Sequence, residues 1–187
     1  ESKSVKIIEP KKDTVIFRSD IDWQENFELT HDIDKDSIWN KPVRFYVNNP
    51  KCYRTAIAFY FGKFRPSDND ETAKLLQLVV SDDINLRPFY RWILNKTIQN
   101  QDGALGEYTG IPARKYAEKF PNEFFEYMDF DSSGEKYSEW YNSILYSGIY
   151  EDDVIKNPAI IRKKLIKTMQ SNCENCNGNM NSRIQKL

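Results

Sequence analysis

Proline sets the grain of this sequence, because it recurs at the heads of apolar clusters rather than within long apolar runs. Asn49-Pro50, Pro88, Pro112, Pro121 and Asn157-Pro158 each precede such a cluster. Proline fits the first turn of a helix, where its missing N–H would lack a partner anyway, and Asn can accept a hydrogen bond from another orphan amide. A chain punctuated in this way builds short helices. Within the clusters the apolar residues follow helical spacing, not the period-two alternation of a strand.

Residues 1–48 read as an N-terminal arm. Val5-Lys6-Ile7-Ile8 and Thr14-Val15-Ile16-Phe17 flank the turn-like Glu9-Pro10-Lys11-Lys12-Asp13, which predicts an extended arm or a small hairpin. Asp20 to Asp36, with Trp23, Phe27 and Leu29, fits one short helix. The helical core covers residues 49–170. Its first helix is expected from Asn49-Pro50 to Gly62 or Phe64, and its second after Asp70 and Glu71, carrying Leu75, Leu76, Leu78, Val79 and Val80. A third follows Asn85, and its apolar residues, among them Phe89, Trp92, Ile93, Leu94 and Ile98, span too wide an arc for a surface helix. That helix should be central. Gly103, Gly106 and Gly110 read as a flexible loop, Pro112 and Pro121 as the openings of two helices, and Tyr137 to Tyr146 and Ile160 to Met169 as two more. Residues 171–187, rich in Asn, read as a flexible C-terminal tail. The whole is one mainly all-α domain: an irregular helical array or bundle with a short N-terminal extended arm or hairpin. No fixed-period repeat emerges.

The 27 basic and 28 acidic residues leave a net charge of -1, which gives no general attraction to phosphate, so nucleic acid is not an expected partner. No apolar run approaches the roughly 20 residues of a membrane span. Glu1-Ser2-Lys3-Ser4 is too polar for a signal peptide, and the missing initiating Met fits either an artificially trimmed chain or a mature chain whose export signal has been removed; of the two we lean to export, periplasmic or secreted.

Two constellations invite metal. Asp129, Asp131 and Ser133 place oxygens at alternate positions ahead of Gly134, as a calcium loop does. The twelfth position is Trp140 where a calcium loop closes with Glu, so a helix-capping turn is the competing reading. Asp32, Asp34 and Asp36 lack both the glycine and the closing Glu and read as a solvated acidic loop. Cys173 and Cys176 have the spacing of half a zinc site, and Cys52 and His31 would complete four ligands if the tail folded back; a disulfide or free thiols compete. The expectation is no resident cofactor, with calcium and zinc as alternatives.

For acid–base chemistry the residue singled out is Glu107, because flexible glycine loops often border sites; its other reading is an exposed acid. His31, the sole histidine, has no Ser or Cys beside it in sequence, and the glycines do not form a phosphate loop. Aromatics make up 14% of the chain, more than a routine core needs. Phe45-Tyr46, Phe59-Tyr60-Phe61, Phe89-Tyr90 and Phe124-Phe125 set neighbouring rings about 100° apart on a helix, so one can turn inward while the other reaches a rim. Ile160 to Met169, with Arg162, Lys163, Lys164 and Lys167, is basic and amphipathic and reads chiefly as a packed surface helix. The function expected is a noncatalytic binding or scaffold module for a protein or peptide. The alternatives are a carboxylate-pair hydrolase or lyase acting on a glycan, and an immunity-type inhibitor that plugs another protein's active site.

Overall fold

A computed structural model describes Gln24, Phe27 and residues 29–151, 158–173 and 176–187. The two apolar runs between Val5 and Phe17 lie outside these residues. The first regular element is an antiparallel hairpin of β1 (Ser37–Ile38) and β2 (Lys41–Pro42), with Ile38 opposite Lys41. Nine helices follow among the described residues: α1 (Val43–Val47), α2 (Arg54–Tyr60), α3 (Asp70–Gln77), α4 (Arg87–Gln99), α5 (Gly103–Lys119), α6 (Pro121–Asp129), α7 (Glu135–Glu151), α8 (Pro158–Asn172) and α9 (Gly178–Gln185). The fold is mainly all-α with a short N-terminal hairpin, as expected.

Local chemistry accounts for the helix starts that the sequence announces. Asn69 accepts from Thr72 N at 2.8 Å and caps α3, with Asp70 and Glu71 in its first turn. Pro88 and Pro121 stand in the first turns of α4 and α6. Helix α4 is central, with Phe89, Trp92, Ile93 and Leu94 all buried. Trp92 meets the rings of Phe27, Phe59 and Phe89 at 5.6, 5.6 and 5.9 Å. Its buried polar neighbour Asn95 accepts from Trp140 Nε1 at 2.8 Å, so the helix ties α7 to the core by a satisfied hydrogen bond. Helix α8 turns Ile161, Leu165 and Met169 inward and leaves Arg162, Lys163 and Lys167 exposed, as its amphipathic pattern predicts.

Five expectations are corrected. Asn49-Pro50 does not open a helix: Cys52 N donates to Asn49 O at 2.9 Å, so the pair forms the first half of a turn with Pro50 in its second position, and α2 starts later. Gly103 to Gly110 is not a loop but the first part of α5, because Asp102 accepts from Leu105 N at 2.9 Å and caps the helix there. Gly110 is required by packing: a Cβ on it would lie 2.5 Å from Ser143 O and 3.1 Å from Ser147 N, both backbone atoms of α7. Pro112 consequently sits buried inside α5 rather than at a helix start. In the Asp20–Asp36 stretch, Phe27 lies in a 3-10 turn, its N–H donates to Gln24 O at 2.9 Å and its side chain is buried in the core, but residues 29–36 form turns rather than a helix, with Asp36 N donating to Asp32 O at 2.9 Å; the rest of the stretch lies outside the described residues. Residues 178–185 are the helix α9 rather than a loose tail; Ile184 and Leu187 are buried, and Arg183 pairs with Asp129 at 2.6 Å.

Candidate functional site

The hairpin turn is where local structure departs most from what its residues prefer. With Ile38 paired to Lys41, the loop is the two residues Trp39 and Asn40, with φ of 52° and 61°. Both lie in the left-handed region, as a type I′ turn demands. Asn tolerates that region, whereas a bulky aromatic is a marked outlier there, at a cost of about 1–2 kcal/mol. Tertiary contacts hold the turn in place. Tyr46 donates to Ile38 O at 2.9 Å from inside the core, and the Trp39 ring lies 4.0 Å from the guanidinium of Arg91.

Arg91 is the chemical oddity of the molecule. It belongs to the central helix and is only 2% exposed. The Tyr127 ring flanks it at 4.1 Å, and its Nη1 donates to Tyr116 Oη at 2.9 Å. Nε and Nη2 have no partner among the described residues. Tyr116 lies 3.4 Å from Glu123 Oε2, but that carboxylate is already gripped by both Arg87 Nε, at 2.9 Å, and Arg87 Nη2, at 2.5 Å. This buried network therefore holds two guanidiniums and one carboxylate. Burial raises the Tyr116 and Tyr127 phenols far above their ordinary range, against the lowering effect of Arg91, so both remain neutral donors. Burial, opposed by Asp131 and reinforced by Arg91, holds the Lys136 ammonium below its usual value, and its Nζ lies 4.5 Å from the same Tyr127 ring.

Above this cation the surface is apolar. Phe130, 63% exposed, packs on Trp39 at 4.5 Å. Across the turn, Lys41 Nζ lies 4.3 Å from the ring of the exposed Phe45 and 3.5 Å from Asn85 Oδ1, and the adjoining Ile84 is 67% exposed. Phe130 against Trp39 on one side of the turn, and Phe45 and Ile84 around the Lys41 ammonium on the other, make up a strip at the hairpin that is apolar apart from that one charge. Of the adjacent aromatic pairs, Phe45-Tyr46 and Tyr60-Phe61 divide between surface and core as the helical angle implies, while Phe89-Tyr90 and Phe124-Phe125 are wholly buried.

The residues singled out from sequence do not converge. Glu107 is exposed on α5. Asp129 pairs with Arg183, while Asp131 accepts from Ser133 N at 3.0 Å, Ser133 Oγ at 2.7 Å and Lys136 N at 2.8 Å, which is the work of a helix-capping turn. Asp36, expected in a solvated loop, is buried and accepts from Thr30 N at 2.9 Å and Tyr60 Oη at 2.6 Å. Cys173 and Cys176 are joined in a disulfide beside Asn122. Cys52 is buried elsewhere, its thiol pushed up to about 11 by burial, and exposed His31 stands edge-on to Tyr60. Among the described residues no three His, Cys, Asp or Glu side chains gather as a metal site requires. No described helix is long and apolar enough to cross a membrane.

A cleft of about 500 Å³ lies between the Arg65–Asp68 loop and the α4–α5 turn. Asp68 and Asp102 both line it, yet Asp68 accepts from Tyr108 Oη and Asp102 caps α5. Its described lining holds no aromatic ring on which a sugar could stack. Trp39 and Arg91 escaped the sequence reading. The available signal was an arginine between Tyr90 and Trp92, inside the helix assigned to the centre. Comparison with protein-family models, curated proteins and solved structures finds no match for this chain.

Proposed function

We propose that this chain is a binding module that engages a peptide segment of a protein partner through the strip formed by Phe130, Trp39, Phe45 and Ile84. The observation that carries the reading is the pairing of exposed apolar side chains with a strained aromatic turn, whose Trp39 packs on Phe130. Strain is retained where the surrounding contacts over-determine it, and such places cluster at sites of recognition. Aromatic rings with few rotatable bonds give large contact area at small entropic cost. Asp102 and Asp131 are engaged in caps, Asp129 and Glu123 in ion pairs, and Asp36 and Asp68 accept from tyrosines, while Glu107 stands exposed; the cleft that holds Asp68 and Asp102 has no aromatic ring in its described lining, so the glycan-cleaving alternative has less to rest on.

Selection of peptides from a random display library against the full chain tests the proposal. Selected peptides should bind Phe130→Asp and Ile84→Asp variants at least roughly tenfold more weakly, the size of a modest hot spot. They should bind Glu107→Gln unchanged. Peptides indifferent to both strip substitutions would refute the assignment of the site.

A further inference from the structure

Trp39, at one end of the strip, lies over a cation that the described residues around it do not neutralise, and the inference drawn from this rests on the peptide-binding reading above. Arg91 is 2% exposed, two of its guanidinium nitrogens lack acceptors among the described residues, and Glu123, the carboxylate that Tyr116 approaches, is taken by Arg87. Taking a guanidinium out of water costs several kcal/mol unless a counter-charge and hydrogen bonds make it good. Ring faces and one hydrogen bond to a neutral phenol offset part of that cost, and the donors at Nε and Nη2 stay without acceptors among the described residues. Lys136, whose Nζ lies 4.5 Å from the same Tyr127 ring, adds positive charge. One cover over Arg91 is Trp39, half-buried on a turn whose backbone is itself strained, and the exposed ring of Phe130 packs on it.

We propose that Arg91 is the receptor for a carboxylate of the bound peptide, an Asp or Glu side chain flanked by apolar residues, and that the ring of Trp39 swings aside to admit it. A carboxylate matches the guanidinium fork with two parallel hydrogen bonds, so one acidic side chain would satisfy both orphan nitrogens and balance the excess charge. The apolar neighbours of that residue would take the place against Phe130 and Phe45 that the strip offers. Charge thereby adds selectivity to a surface whose apolar contacts alone would accept many sequences.

The peptides selected as above provide the probe. Selected sequences should carry Asp or Glu beside apolar residues, and replacing that acid by Asn or Gln in the synthetic peptide should weaken binding to the unaltered protein by roughly tenfold to a hundredfold. In Arg91→Gln the acid and the amide peptide should bind alike. Because the peptide substitution leaves the protein untouched, it decides the matter even if Arg91→Gln folds poorly. Fluorescence of a protein retaining Trp39 as its sole tryptophan should shift to longer wavelength on binding, as the ring moves towards water. Amide and acid peptides of equal affinity would overturn the inference while leaving the peptide-binding reading in place. Failure to select any peptide sensitive to Phe130→Asp would overturn that reading and this inference with it.

Discussion

Replacing Gly110 by Ala should destabilise the protein although alanine is the better helix former. On an open helix the exchange gains about 1 kcal/mol, since glycine loses more backbone freedom on folding. At position 110 the added methyl would sit 2.5 Å from Ser143 O, 3.1 Å from Ser147 N and 3.2 Å from Ser147 Cα. All three are main-chain atoms of α7, so no side chain can rotate away, and the two helices would have to part by about an ångström along their contact. Overpacking of this kind costs about 1–3 kcal/mol or more, and with main-chain atoms as the obstacle the upper end applies. After subtracting the propensity gain, we expect a net loss of about 1–2 kcal/mol. Gly106, one turn earlier on the same helix, supplies the control: its nearest neighbour would be Gln101 Oε1 at 3.9 Å, an ordinary contact. Gly106→Ala should therefore stabilise by about 0.5–1 kcal/mol. Urea unfolding of both variants, read by circular dichroism, gives the two free energies. Equal signs for the two substitutions would refute the packing argument, and a stabilised Gly110→Ala would mean that α5 and α7 do not approach as closely as described.

Three further perturbations test other parts of the molecule. Ending the chain at Asn177 removes α9 and its buried Ile184 and Leu187, so thermal melting should fall by roughly ten degrees, given about 1.5–3 kcal/mol for each buried aliphatic side chain; an unchanged midpoint would make the segment dispensable. Burial pushes the Asp36 carboxyl up, but hydrogen bonds from Tyr60 and Thr30 outweigh it and hold the group below 3.8, so its contribution is present above that pH and is lost as pH falls through the lowered value. Asp36→Asn should accordingly be less stable than the parent near neutrality, with a gap in urea midpoint that narrows below pH 3.8; a gap independent of pH would remove the ionised carboxylate from the account. Arg91→Met should leave stability unchanged or raise it, because it relieves an uncompensated buried charge, whereas a loss above about 2 kcal/mol would mark the arginine as a structural residue.

What could be read from the sequence was what local interactions decide. Helices α3, α4 and α6 start where Asp70 with Glu71, Pro88 and Pro121 announce them, because first-turn acids and a fixed φ act within one turn; the Asn69 cap of α3 came only with the structure. Asn49-Pro50 misled because the same two residues serve equally as the start of a helix and as the first half of a tight turn, and the choice depends on where α1 must leave the core. The glycines of α5 read as a loop because the reason for Gly110 lies across the helix interface, on the backbone of α7. Helix α9 was hidden for a related reason: its few apolar residues would not hold a free helix, but Ile184 and Leu187 reach an existing core, and Arg183 reaches Asp129.

The candidate site was the least legible part, since nothing in a linear reading brings residue 39 to residue 91. In sequence, Arg91 is one of several polar residues in the helix, with Arg87, Asn95, Lys96 and Thr97, and nothing local sets it apart. Its environment is assembled from Trp39 on the hairpin, Tyr116 on α5 and Tyr127 on α6, three elements that meet only in the folded chain. Each supplies a group able to lie against a cation, and none supplies a negative charge. A core selected for stability alone would be better served at that point by an apolar side chain of similar volume, which needs no counter-charge. The arginine is held instead beneath a strained tryptophan at the edge of an exposed apolar strip, so the missing charge and the open surface lie together. An acidic peptide is the occupant whose chemistry answers both.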